Sequence, residues 1–459
     1  MKIDNLLSKY WGAFSKNNSH FMEIFKSTAT SLVFRILGLS VSYFFILFIS
    51  RIYGPEMTGI FTLCMVLLNI CAMVGQLGFN TSLIKFIAQF NSVKDYIRLK
   101  EVYKKTLIIV LPFSILLSVL VFLNVEVISE HIFNKPYLKK YFKLTSIAIL
   151  PLVLLNINKQ AIRGLKKIFK FNLLDRGIDF LIALIILIPV TFWSGKNYFF
   201  PIIAYIIGIG IVGLLSVVFW VKDSRSIHVG IYALNNSQFN NIRYSVLLST
   251  SLCMFFISSM HFILRWTDTI MVGIFCSEKE VGIYNVVFRI SSITLLGLEA
   301  VNSICAPKFA ELYAQKYIEE LRYYVNYSTR FIFWISTPML LAFISMPSFI
   351  LNIFGSSFKK GATAFVVLSI GQFVNASSGS VGLLMNMTGK EKVFQSIIFI
   401  ATLINIVLNY ILIPKFGING AAIATTVSTL FWNLISVVYI RFNMGITTLY
   451  LPKLNKLLK

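Results

Sequence analysis

Charge is scarce in this sequence. Asp, Glu, Lys and Arg make up only 13% of its 459 residues, roughly half the share carried by a soluble globular chain. Acids are the scarcer sign, 18 against 42 Lys and Arg, for a net charge of +24. Cysteine is sparse too. Cys64, Cys71, Cys253, Cys276 and Cys305 show no paired spacing and fall in or beside apolar runs, where a thiol behaves as a small apolar side chain. That argues against a disulfide framework or a cysteine metal site. His20, His131, His228 and His261 are scattered singly. No GxSxG or HExxH occurs, and Gly389-Lys390 is followed by Glu391 with no earlier Gly at the distance of a phosphate loop. Hydrolase, metallopeptidase and stand-alone ATPase chemistry therefore have no residues to rest on. Any uphill work must draw on an ion gradient or on consumption of the product.

What the chain does have is apolar residues. They make up 57% of it, including 42 Phe, and the mean hydropathy is +0.78. Runs of about 20 such residues match the length of a helix crossing a hydrocarbon core of roughly 30 Å. They recur near 30–50, 59–80, 106–125, 144–162, 173–193, 199–220, 246–274, 285–306, 328–351, 361–386, 393–413 and 417–441. The short alternating segments of a membrane barrel are missing. The sequence predicts an all-α polytopic membrane protein with about 12 transmembrane helices. Its connections leave no room for a soluble catalytic domain, and the longest outer one (126–143) is short for a membrane-bound polymerase or ligase. The first run starts too late and is too long for a cleavable signal. The stretch before it, with Tyr10, Trp11, Phe14 and Phe21 among lysines, reads either as an interfacial helix or as a flexible start.

The basic residues are distributed unevenly. With the N-terminus inside, the inner connections and their flanks hold 28 Lys and Arg and the outer ones 10; Arg35, Arg265, Arg289 and Arg330 lie within spans. This bias predicts a multi-pass cell-membrane protein with both termini cytoplasmic. It accounts for the net charge without nucleic acid as a partner.

Three stretches recur at nearly one offset. "SRIYGPEMTGIF" (50–61) resembles "VGIFCSEKEVGIY" (272–284), with Gly59 and Gly282 223 positions apart. "IFNKPYLKKY" from Ile132 resembles "IFGSSFKKGA" from Ile353, and "RGLKKIFKF" around Gly164 resembles "TGKEKVFQS" around Gly389. The pattern predicts two six-helix bundles, 1–222 and 245–459, joined by a cytoplasmic linker at 223–244. Six is even, so the bundles share one orientation and a pseudo-two-fold along the membrane normal, as in transporters that rock two bundles about a central site. Gly59 and Gly282 are expected to permit tight re-entry after each first corner.

These residues carry a family resemblance. "SRIYGPEMTGI", "GQLGFNTSLIKFIA", "RWTDTIMVGIFCSEKEVGIYNVVFRIS", "APKFAELYA", "LLMNMTGKEKV" and "NYILIPKFGINGAAIATTVS" resemble, in order and spacing, the bacterial polysaccharide exporters. Those are the lipid-linked oligosaccharide (O-antigen type) flippases of the multidrug/oligosaccharidyl-lipid/polysaccharide (MOP) transporter superfamily. The resemblance implies a V-shaped pair of bundles with alternating access around a cationic cavity in the cytoplasmic membrane. It implies as cargo a glycan repeat unit on undecaprenyl pyrophosphate, for O-antigen, capsule or exopolysaccharide synthesis. A polysaccharide polymerase and chain-length machinery are the implied partners, with no cofactor and with proton or sodium coupling. The rival reading is an ion-coupled small-molecule or drug antiporter of the same superfamily. Its cavity should favour carboxylates and aromatic faces, whereas the spans here carry more arginines than acids.

Ionisable groups at membrane depth cost roughly 2.5–3.5 kcal/mol each on insertion scales, so each requires an explanation. Arg265, Arg35, Arg289 and Lys85 are the candidates for binding pyrophosphate, because a planar guanidinium offers paired donors to phosphate oxygens. For Arg35 and Lys85 the competing reading is snorkelling to the inner face, and for Arg289 to the outer one. Arg265 and Asp268, three apart, read either as a local ion pair or as an arginine held ready for phosphate by its acid. Asp268, Glu299 and Asn302 are candidates for ion coupling, with Glu299 and Asn302 alternatively a helix–helix contact. Gln372, Asn375 and Asn386, in the small-residue stretch "GQFVNASSGSVGLLMNMTG", are candidate sugar contacts or plain packing positions. Pro112, Pro151, Pro189, Pro338 and Pro347 are expected to kink their spans.

Overall fold

The computed structural model describes residues 19–175, 177–226 and 243–450, and every described element is helical. The first half comprises α1 (Ser19–Ile52), α2 (Gly54–Gly75), α3 (Phe79–Ser92), α4 (Tyr96–Leu123), α5 (Lys139–Ser146), α6 (Ile149–Gly164), α7 (Ile168–Asp175), α8 (Ile178–Ser194) and α9 (Phe200–Ser226). The second comprises α10 (Tyr244–Phe275), α11 (Glu278–Ser291), α12 (Leu296–Ala314), α13 (Ile318–Ser345), α14 (Pro347–Asn352), α15 (Ala362–Ser377), α16 (Val381–Met387), α17 (Glu391–Phe416) and α18 (Ile418–Met444). Eight stretches are long and apolar enough to cross a membrane unbroken. Three more spans are bent pairs: Pro136–Ser146 with α6 (45°), α7 with α8 (44°), and Tyr244–Met260 with Arg265–Phe275 (59°). The apolar end of α1, Ile36–Ile52, is a shorter apolar helix in the place of the first expected span. Pro112, Pro189 and Pro338 sit inside the continuous helices α4, α8 and α13, so the sharp bends lie elsewhere. Of the expected linker, 223–226 is helical, and 227–242 fall outside the described residues, as do Tyr10, Trp11 and Phe14.

Local chemistry sets several helix starts. Asp95 caps α4 by accepting from the Arg98 amide at 3.1 Å. Ser277 and Glu280 form a capping box at the start of α11, satisfying two otherwise orphaned donors. The acids of that first turn depress its hydropathy, which is why the sequence places span 8 at 285–306, whereas the structure starts it at Glu278.

The internal repeat is written into the backbone. Left-handed residues occur in pairs at equivalent connections: Lys94 and Lys316, Asn134 and Gly355, Lys166 and Gly389, Gly195 and Gly417. A lysine adopts positive φ only at a cost of roughly 1 kcal/mol or more. Four such coincidences in one register are the signature of one supersecondary plan used twice.

Gly59 and Gly282 play a different part from the one expected. Neither has positive φ, and Gly59 lies inside α2, past the corner. A Cβ on Gly59 would sit 1.8 Å from the Glu278 carbonyl oxygen, and one on Gly282 would sit 2.0 Å from that of Pro55. Each half thus presses the first turn of its second span against the other half's glycine, a reciprocal contact possible only because both Cβ atoms are missing. The side carrying these corners is termed here the corner face, and the opposite side the base.

Candidate functional site

Polar groups from both halves converge at one depth. Arg289 lies 11 residues into the span beginning at Glu278, about 16 Å along the axis at 1.5 Å per residue. That is near the middle of a roughly 30 Å core. Arg265 is ten residues before the end of α10, and Tyr43 nine before the end of α1, so both lie at nearly the same level. The Tyr43 hydroxyl donates to the backbone carbonyl of Arg289 across the seam between the halves. The Arg289 Nε donates to Asn285 Oδ1, one turn back, at 3.0 Å. Arg265 stands at the bend of α10 with its side chain exposed, within Coulombic range of Arg289. Glu299 lies within such range of Tyr43. No carboxylate ion-pairs with either guanidinium among the described residues. Arg289 lies deeper than the sequence suggests, and Asn285 holds its guanidinium one turn toward the corner face.

The ion pair expected between Arg265 and Asp268 is not formed. Three residues fall about 60° short of a full helical turn, and past the bend Asp268 faces into the second half. There it is only 4% exposed. It accepts from Asn405 Nδ2 (3.0 Å), Asn409 Nδ2 (2.6 Å), the Thr425 hydroxyl (2.5 Å) and the Tyr284 hydroxyl (3.2 Å). Four donors from α11, α17 and α18 replace the single guanidinium. A second acid, Asp179 on α8, is half-buried and accepts from the Tyr205 hydroxyl at 3.2 Å.

The remaining candidates are dispersed. Lys85 is exposed on α3, beyond Gly78. The 22 residues of α2 already measure about 33 Å, so Lys85 stands well past the arginine level and is not part of that layer. Arg35 lies eight residues from Tyr43 toward the base on α1, about 12 Å along the axis. Glu299 and Asn302 are half-buried on α12; Glu299 is engaged, whereas Asn302 Oδ1 is buried without a hydrogen-bond partner. Gln372 is buried and Asn375 half-buried on α15, and Asn386 is exposed on α16; none bonds to either arginine of the layer. Sequence reasoning missed Tyr43, Asn285, Asp179 and the partners of Asp268. Asn405 and Asn409, four apart in the apolar run "LINIVLNYIL", were the visible signal, since that spacing places two amides on one helix face.

An all-helical protein with up to 11 candidate spans among its described residues, built as two halves with a cationic layer between them, has the architecture of a membrane transporter. Over residues 24–313 the chain matches the polysaccharide biosynthesis protein family, and it belongs to that family. Residues 238–411 also match the MatE family. The chain is similar to a probable low-salt glycan biosynthesis flippase of Haloferax volcanii, 24% identical over 417 residues, covering 89% of this chain and 81% of that one. Its fold is that of the MOP superfamily. An inward-facing multidrug resistance MATE family transporter superposes with a TM-score of 0.69 at 14% identity, covering 91% of this chain and 98% of that one. The lipid II flippase MurJ, in an inward closed conformation, superposes with a TM-score of 0.63 at 16% identity, covering 91% and 87%.

Proposed function

We propose that this protein is a flippase for a polyprenyl-pyrophosphate-linked oligosaccharide in surface glycan synthesis, undecaprenyl-linked in a bacterial setting. It moves the headgroup from the cytoplasmic to the outer leaflet by alternating access, with the corner face outside and both termini inside. The observation that carries this reading is the pair Arg265 and Arg289, at nearly one depth, within Coulombic range of one another and with no carboxylate ion pair among the described residues. Two cations with no ion-pair partner among the described residues favour an anionic cargo, and a diphosphate offers oxygens to both forks. A drug antiporter needs the reverse polarity, and here Asp268 and Asp179 are turned into their own halves. Deleting the gene should trap the lipid-linked glycan where only cytoplasmic-side glycosidases reach it. Unchanged glycan sidedness, with altered resistance to organic cations, would favour the antiporter instead.

Asp268 is the proposed coupling group. Its cage can hold a carboxylic acid or, with the oxygens of Thr425 and Asn409 beside it, a carboxylate with a small cation; Asn409 Oδ1 is buried without a hydrogen-bond partner. Asp268→Asn should therefore remove the response of flipping to collapse of the proton or sodium gradient and slow export on the order of 10-fold or more, with normal insertion. Retained gradient dependence in a vesicle flipping assay would remove Asp268 from this role.

A further inference from the structure

Near the corner face the seam is crossed by one buried charge that the cationic layer does not include. Lys135 follows Asn134, whose φ of 52° reverses the chain, and precedes Pro136. Proline restricts the residue before it to extended backbone, and Lys135 has φ −139° and ψ 78°. This short stiff turn sends the lysine out of the first half into the second. Its ammonium lies 2.8 Å from the Gly273 carbonyl, 2.6 Å from that of Cys276 and 3.2 Å from Glu278 Oε1. Two of its protons go to backbone carbonyls, the Glu278 carboxylate is an ion-pair contact whose Oε1 has no hydrogen-bond partner, and the residue is only 9% exposed. Gly273 and Cys276 are at the C-terminal end of α10, whose last turn has no basic residue. Lys135 supplies, from the opposite half, the cation that the negative end of a helix attracts. The repeat answers with a matching tie: Arg51, at the end of α1, donates its Nε to the Ile353 carbonyl at 2.5 Å. The end of each half's first helix is thus fastened to the other half's next outer connection.

We infer that Lys135 is a gating residue, a latch that holds the corner face shut while cargo enters from the base. This rests on the alternating-access reading above. Water can replace both hydrogen bonds and solvate both members of the ion pair, so the latch releases without stranding a charge once the halves part. Two of its acceptors are backbone carbonyls, so Lys135 and Glu278 are the members that side-chain substitution can remove.

The test is a thiol reporter on the seam. Leu63 is fully buried, and together with Phe133 it fills the space beside Gly273. With the five native cysteines replaced and Leu63→Cys introduced, a membrane-impermeant maleimide added from outside should react slowly. Adding Lys135→Met should raise the labelling rate roughly 10-fold or more, and Glu278→Gln should raise it less, since two carbonyl bonds remain. Labelling at the parent rate in both variants would overturn the latch. Should Lys135→Met fail to insert, an unchanged rate in Glu278→Gln would overturn it alone. Labelling needs no cargo, so a parent protein that flips no glycan yet shows the rate increase would sink the flippase reading and leave the latch standing.

Discussion

Arg289→Met is expected to abolish glycan export while the protein inserts at its normal level and melts at a higher temperature. The two effects have one cause. Arg289 is a mid-depth cation held by Asn285 and by a backbone contact from Tyr43, with no carboxylate ion pair among the described residues and Arg265 within Coulombic range. Replacing a half-buried charge that has no ion pair with an apolar side chain of similar length removes its desolvation cost and is stabilising. The cargo loses its paired donors, which for charge-assisted bonds means on the order of 10- to 100-fold in binding for each arginine. Arg265→Met should show the same loss of export, and Arg265→Lys should keep part of it, because an ammonium supplies charge without the planar fork. The measurements are export in a deletion strain and thermal melting of the purified protein. Normal export by Arg289→Met, or inactivity accompanied by lower stability, would show the layer to be structural rather than a phosphate site.

Gly59→Ala and Gly282→Ala are expected to be nearly as severe, for a steric reason. The added methyl group would meet backbone atoms, at 1.8 Å and 2.0 Å respectively, and a backbone cannot rotate out of the way as a side chain can. Overpacking a close contact costs typically 1–3 kcal/mol, and contacts this short belong at or beyond the upper end. The closed corner face would then lose roughly 100-fold or more in population. Export should fall accordingly, and Leu63→Cys should label rapidly from outside. Gly210→Ala is the control: nothing lies within 4 Å of its added Cβ, so export and labelling should stay at the parent values. If Gly59→Ala and Gly282→Ala both behave like that control, the reciprocal contact is not needed for closure.

Much of this molecule was decided by the sequence itself. Apolar runs must cross the bilayer as helices because the hydrocarbon core offers backbone groups no other partner. The number of spans, the all-helical class and the recurrence near 223 residues follow from local composition, which needs no knowledge of neighbours. The scarcity of acids in the spans likewise pointed to an anionic cargo. The tertiary structure decided what each polar group touches. Gly59 reads as a turn residue from its own neighbours, and only the approach of Glu278 from the other half shows why a Cβ is forbidden there. Arg265 and Asp268 read as a pair from their spacing, yet the bend of α10 leaves one exposed and hands the other to Asn405, Asn409 and Thr425. Those partners are 137 to 157 residues away in the chain. Sequence spacing fixes direction around a single helix, whereas contact depends on how helices cross, and that is set by packing among residues far apart in the chain.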